Sequence, residues 1–291
     1  MATPAEWVEG ARPRTLPAAF SPVIAGSAVA WFEGGFVPLL ATLALVVALA
    51  LQVGVNYAND YSDGIRGTDA ARVGPLRLVG SGAATPGQVK AAALLSFAVA
   101  AVAGLGVVIV TGQWWLLVVG AAAIAAAWFY TGGPHPYGYA GLGELFVFCF
   151  FGLVAVTGTA YIQLGAVPAA AWWAAIAIGA LACAILVANN LRDLAGDAQA
   201  GKRTLATRLG DRGTRWFFLA LVVLATAGVA GVAATSSWWA LLGLAMLPVL
   251  FGPTSAVLAG AAGRELIVVL KRVGFAELIC AIGLAAGLMI A

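Results

Sequence analysis

Charge is scarce in this chain: 9% of its 291 residues are Asp, Glu, Lys or Arg, against about 25% in soluble globular domains. Apolar residues make up 63%, so no water-exposed surface could be covered, and a membrane is the solvent that explains the composition. Histidine is nearly absent. The single His135 excludes a His-rich metal site and leaves Ser-His and Cys-His triads without support; it reads as a solvated loop residue. Cysteine is equally uninformative, because Cys149, Cys183 and Cys280 each lie inside an apolar run, which gives neither a disulfide framework nor a zinc site. No GxxxxGK or GxGxxG segment speaks for a phosphate loop or a dinucleotide fold. No cleaved signal peptide is expected, since Glu6, Glu9, Arg12 and Arg14 precede the first apolar stretch. A net charge of +3 is too small to point to nucleic acid.

What is there is a series of apolar runs. About 20 apolar residues cross the hydrocarbon core as a helix, and about nine candidates meet that rule: 16–33, 37–58, 89–110, 114–130, 143–163, 170–190, 215–235, 238–259 and 274–291. The fold class is therefore all-α, a polytopic bundle of nine spans with a cytoplasmic cap. With nine spans, all fifteen Lys and Arg residues fall on the N-terminal side, and the connections at 33–35, 111–113, 164–168 and 235–237 carry none. The positive-inside rule then puts the N-terminus in the cytoplasm and the C-terminus outside a cell (inner) membrane. Trp114–Trp115, Trp172–Trp173 and Trp238–Trp239 open spans on the outer face and read as an aromatic belt. Two cytoplasmic connections, roughly 59–88 and 190–214, are long and polar, a third covers 131–142, and an amphipathic piece covers 263–274.

Five of the twelve acidic residues sit in two motifs. Asn56 to Asp69 reads NYANDYSDGIRGTD, and Asn189 to Asp197 reads NNLRDLAGD. Asn56 pairs with Asp60 and Asn59 with Asp63 at i, i+4, while Asn189, Asp193 and Asp197 follow at i, i+4, i+8; on helix ends each set shares a face. Asn-x-x-x-Asp closes both the second and the sixth span. Four spans separate them, so the chain reads as one domain over 1–291 built from a parallel pseudo-repeat, about 11–130 and 143–259, plus a ninth helix at 274–291. Such a repeat would bring the motifs together over a central cavity. Magnesium takes oxygen ligands, one or two carboxylates plus substrate phosphates, so two facing clusters of this kind suit a metal-bridged diphosphate, with Arg14, Arg66, Arg72, Arg77 and Lys202 as candidate phosphate ligands. Spacing alone also allows helix caps, or the ion path of an ion-coupled transporter. The tight outer turns speak against alternating access. Tyr130 reads either as a phosphate or ring contact or as an interfacial anchor, and Glu144 as a helix N-terminal charge.

NDYSD and NNLRDLAGD resemble the two Asp-rich motifs of the UbiA superfamily of intramembrane prenyltransferases. ARPRTLP (Ala11–Pro17), VGPLRLVGSG (Val73–Gly82), YTGGPHPYGYAGLGE (Tyr130–Glu144) and the run from Asn189 to Gly210 resemble its 1,4-dihydroxy-2-naphthoate branch, which serves menaquinone synthesis. The resemblance covers residues 11–210 in order. It implies a magnesium-dependent transfer from a polyprenyl diphosphate, tail in the bilayer, to dihydroxynaphthoate with loss of CO2, giving demethylmenaquinone. Transfer to 4-hydroxybenzoate or homogentisate is the variant within the superfamily. By motif match, Asn56, Asp60, Asp63, Asn189, Asp193 and Asp197 would form the metal and diphosphate shell, with Asn59 beside them and Asp60 and Asp193 the most essential. Asp69 stands two residues beyond the superfamily's usual third acid, as a further ligand or an aid to deprotonating the acceptor hydroxyl.

Overall fold

The computed structural model describes residues 2–67 and 76–291. Every regular element among them is helical. Proline opens most of the early helices, where its missing N–H costs nothing: α1 (Pro4–Gly10), α2 (Pro17–Phe32), α3 (Pro38–Arg66) and α4 (Pro86–Thr111). Then come α5 (Leu116–Phe129) and a rod that begins as α6 (Gly143–Val147), runs π-helical through Phe148–Thr157 and ends as α7 (Gly158–Leu164). The long α8 (Ala169–Gln199) and α9 (Leu205–Thr235) follow, then a 3-10 stretch (Trp238–Ala245) leading into α10 (Met246–Leu258), and α11 (Glu265–Met289).

Each of the nine expected spans falls on one of these rods, but several rods run past their apolar part. The expected loop at 59–88 begins as eight further residues of α3, which stops only where Gly67 adopts φ 70°. The second motif lies wholly on α8, and the amphipathic piece at 263–274 is the first half of α11. Polar residues there continue a helix already nucleated by the apolar segment, since adding one more residue to a helix is easy once the first turn exists. Among the described residues, six rods are long and apolar enough to cross a membrane, and α1 with α2, bent by 49°, makes a seventh. At 14 residues α5 is shorter than the usual crossing length.

The centre of the bundle is α8, packed against α2, α9, α11 and the π-helical stretch. Ten of its sixteen buried residues are alanine or glycine, which lets backbones approach closely. A Cβ added to Gly152 would stand 2.7 Å from both Gly179 Cα and the Ala175 carbonyl oxygen. A smaller core joins α3 and α4 to residues 76–84 through Tyr57, Ala58, Leu78, Val89, Ala93 and Phe97. Outward, Val102, Val118 and Phe251 are each more than 70% exposed, and the paired tryptophans are exposed as well. Apolar exposure on this scale fits lipid rather than water.

Candidate active site

The C-terminal half of α3 is a ladder of buried polar side chains from which three other segments hang. Gln52 and Asn56 hold the Ala11–Thr15 strap: the Gln52 amide donates to Thr15 Oγ1 at 2.8 Å, and Asn56 donates to the Ala11 carbonyl at 2.9 Å and to Thr15 Oγ1 at 3.0 Å. Asp60 holds the returning first loop, both carboxylate oxygens accepting backbone N–H bonds, from Leu78 at 2.7 Å and from Val79 at 3.1 Å. Asn59 and Asp63 hold the 131–142 connection: Thr131 donates to Asn59 Oδ1 at 2.7 Å, and the Tyr139 hydroxyl donates to Asp63. Asp63 also pairs with Arg77 at 3.5 Å.

The end of α8 faces this ladder. Arg192 grips Asp193 with two bonds of 2.7 Å and reaches Asn189 Oδ1 at 2.8 Å. Asp197 pairs with Lys202 at 3.4 Å. Tyr139 ties the two motifs together. Its hydroxyl is on Asp63, its carbonyl accepts from the Arg203 N–H at 2.9 Å, and the Lys202 ammonium lies 4.5 Å from its ring centroid. Burial, and after it the Asp63 carboxylate, push the Tyr139 hydroxyl above the ordinary tyrosine range, so at neutral pH it is a donor and not a base.

A polar cavity of about 450 Å³ opens among these groups. Of the residues expected from the sequence, Asn59, Asp63, Asn189, Asp193, Asp197, Arg14, Arg77, Tyr130 and Lys202 line it. Asn56 lines instead the neighbouring apolar cavity of about 560 Å³, walled by α2 to α5 and the α6–α7 rod. Asp60 and Arg66 line neither; Arg66 donates to the carbonyls of Thr131 and Gly133. Asp69 and Arg72 lie outside the described residues. His135 is exposed. Glu144, read as a helix-end charge, is buried and accepts from Asn190 at 2.9 Å.

Spacing did not single out Arg12, Arg192, Tyr139 or Gln52, all of which line the polar cavity. For Gln52 a signal existed: it is the lone amide in the apolar part of α3, and it stands at i−4 from Asn56 and i−8 from Asp60, on their face. Tyr139 carried no periodic signal, because the 131–142 connection folds back as an irregular loop with a 3-10 turn at Tyr137–Ala140.

The two cavities share Ala18, Gln52, Asn59, Tyr130, Val147 and Phe151 as walls, so a charged compartment lies directly against a greasy one. The polar one offers carboxylate and amide oxygens ringed by cations. Among the described residues no three His, Cys, Asp or Glu side chains form a closed metal cage. An oxygen-only set with few carboxylates fits a hard cation that takes its remaining ligands from a substrate's phosphates.

The sequence pattern of the UbiA prenyltransferase family matches residues 19–266. A Mycobacterium tuberculosis protein described as 1,4-dihydroxy-2-naphthoate octaprenyltransferase is 53% identical, over 99% of this chain and 98% of its own. An Escherichia coli protein of the same description is 40% identical, over 75% and 72%. Among solved structures, a UbiA homologue from Aeropyrum pernix superposes with a TM-score of 0.70 at 19% identity, over 94% of this chain and 97% of that one. A homologue from Archaeoglobus fulgidus, solved with GPP and Mg2+, superposes at 0.68 and 13% identity, over 98% and 100%. At such identities the two structures speak for the fold.

Proposed function

The chain belongs to the UbiA prenyltransferase family, and on that premise we propose that it transfers a polyprenyl group from polyprenyl diphosphate to 1,4-dihydroxy-2-naphthoate, releasing CO2 and diphosphate and forming demethylmenaquinol, the reduced form of demethylmenaquinone. Family membership decides against the transporter that spacing had left open. The observation that carries the reading is the shared wall between an oxygen-and-cation cavity and an apolar one. A prenyl diphosphate has those two halves, joined at the carbon that reacts.

The proposed division of labour follows from the cavity walls. Asp63, Asn189, Asp193 and Asp197 would hold Mg2+ and through it the diphosphate, while Asn56 and Asp60 behind them fix the Ala11–Thr15 strap and the returning first loop. Bound there, Mg2+ supplies positive charge to the leaving group. Arg14, Arg77 and Lys202 hold the remaining phosphate oxygens, as cations facing a charged, multidentate anion. The apolar cavity takes the first isoprene units and keeps water from the allylic carbon as its C–O bond breaks. The ring's π pair forms the new C–C bond, and the pair from the ring–carboxylate bond restores aromaticity as CO2 departs, so no net proton is required.

For topology we propose nine crossings with the N-terminus and the polar cavity on the cytoplasmic side and the C-terminus outside. The one-sided distribution of Lys and Arg supports it. We also propose that the two Asn-x-x-x-Asp helix ends mark a parallel repeat within one domain. The enzymatic reading is tested with the purified protein in detergent, dihydroxynaphthoate, a polyprenyl diphosphate and Mg2+. A product mass showing prenyl gain with loss of CO2 is expected. Turnover of 4-hydroxybenzoate or homogentisate, with none of the naphthoate, would overturn the acceptor assignment.

A further inference from the structure

Gln52 stands at the seam of the two cavities, lining both, and the orientation of its amide is fixed by its neighbours. Thr15 has one hydroxyl proton, which it donates to the Arg12 carbonyl at 2.9 Å. Thr15 Oγ1 can therefore only accept from Gln52 and Asn56, at 2.8 and 3.0 Å, so both side chains must present N–H to it. The Gln52 carbonyl oxygen is left buried with no hydrogen-bond partner. The residue as a whole is 7% exposed. A shielded acceptor without a donor is costly, and such groups are rare enough to call for an explanation.

The chemistry of that oxygen selects its ligand. Diphosphate and carboxylate oxygens only accept and would be repelled by it, and a prenyl tail offers no donor. A phenolic hydroxyl does. The seam is also where the reacting carbon of the tail and the acceptor ring must meet. We propose that Gln52 receives one ring hydroxyl of the aromatic acceptor, oriented for this by Thr15, and thereby sets the angle at which the ring faces the allylic carbon. This rests on the reading of the chain as a prenyltransferase of a hydroxylated aromatic.

The test compares wild type, Gln52→Leu and Thr15→Val. The probes are 1,4-dihydroxy-2-naphthoate as substrate and the two naphthoates lacking one or the other hydroxyl as competitive inhibitors. In wild type, loss of the docked hydroxyl should weaken binding at least about tenfold, because a site that hydrogen-bonds a hydroxyl rejects the analogue lacking it. Gln52→Leu should raise KM for the dihydroxynaphthoate by a similar factor and erase the difference between the two analogues, with KM for the prenyl diphosphate unchanged. Thr15→Val, which keeps Gln52 but removes what orients it, should shift the same parameters part of the way. If Gln52→Leu does not fold, Gln52→Met, closer in shape, gives the same comparison. An equal penalty on all three naphthoates, or a shift confined to the prenyl diphosphate, would overturn the assignment of Gln52. Wild-type protein that turns over no naphthoate at all would instead remove the proposed reaction.

Discussion

At the scale of single residues, the acids of the two motifs are chemically alike but differently placed. Asp193 lines the polar cavity and is held by a neighbouring arginine, whereas Asp60 is 1% exposed and occupied with two backbone N–H groups. Asp193→Asn should therefore lose at least about 100-fold in turnover, on the scale of losses at metal sites. Asp60→Asn should lower the unfolding midpoint in detergent as well, by the equivalent of about 1–3 kcal/mol of stability, because the amide nitrogen that replaces one oxygen cannot accept the N–H group that oxygen held. A normal midpoint for Asp60→Asn together with lost metal binding would return Asp60 to the metal shell. His135→Ala, at an exposed position, should leave turnover within about twofold; a larger loss would mean that its loop touches substrate. Acids and amides at i, i+4 were readable in the sequence because helix geometry is local. Which acid meets the cavity and which meets a returning backbone depends on where the 76–82 segment comes back, and no spacing encodes that.

At the scale of elements, helix existence was legible and helix ends were not. The apolar runs located the rods. Their extension beyond 58 to Arg66 and beyond 190 to Gln199 was hidden because polarity was read as loop, when it was the continuation of a helix, its polar side chains buried at Asn59, Asp60 and Asp63. The 131–142 connection matters more than its lack of pattern implied. Tyr139→Phe removes the hydroxyl from Asp63 and keeps a ring under Lys202. It should lower kcat/KM for the prenyl diphosphate by roughly tenfold, the worth of a hydrogen bond to a charged group; an unchanged value would mean that the loop's other bonds, from Thr131, Arg66 and Arg203, place it without the hydroxyl. Packing can be tested where α8 meets the π-helical stretch. Gly152→Val drives a side chain into the Gly179 backbone and should cost about 1–3 kcal/mol by overpacking, read as a lower melting temperature. Gly87→Ala, with nothing within 4 Å of the new methyl, should not lower it; equal losses at both glycines would show that the close approach at Gly152 is not limiting.

At the scale of the whole molecule, two measurements address the proposed metal and orientation. Chelator should abolish turnover and added Mg2+ restore it, since the cavity offers oxygen ligands suited to a hard cation; full turnover in chelator would remove the metal from the proposal. Cysteines introduced at Gly35 and Ser236 should react with an impermeant reagent added outside intact cells, and one at Gly201 should not; labelling of Gly201 would invert the bundle. The common wall of the two cavities has a further consequence, for traffic rather than chemistry. The substrate arrives with an anionic head anchored at the water boundary, and the reaction strips away both diphosphate and carboxyl charge. What remains has no group left for the cations of the polar compartment to hold, and its tail already lies toward lipid. Loss of charge therefore works as the release step: the quinol precursor partitions sideways into the bilayer without ever being dissolved in water, while diphosphate departs into water from the polar compartment. Chemistry, product sorting and delivery to the membrane pool are then a single event.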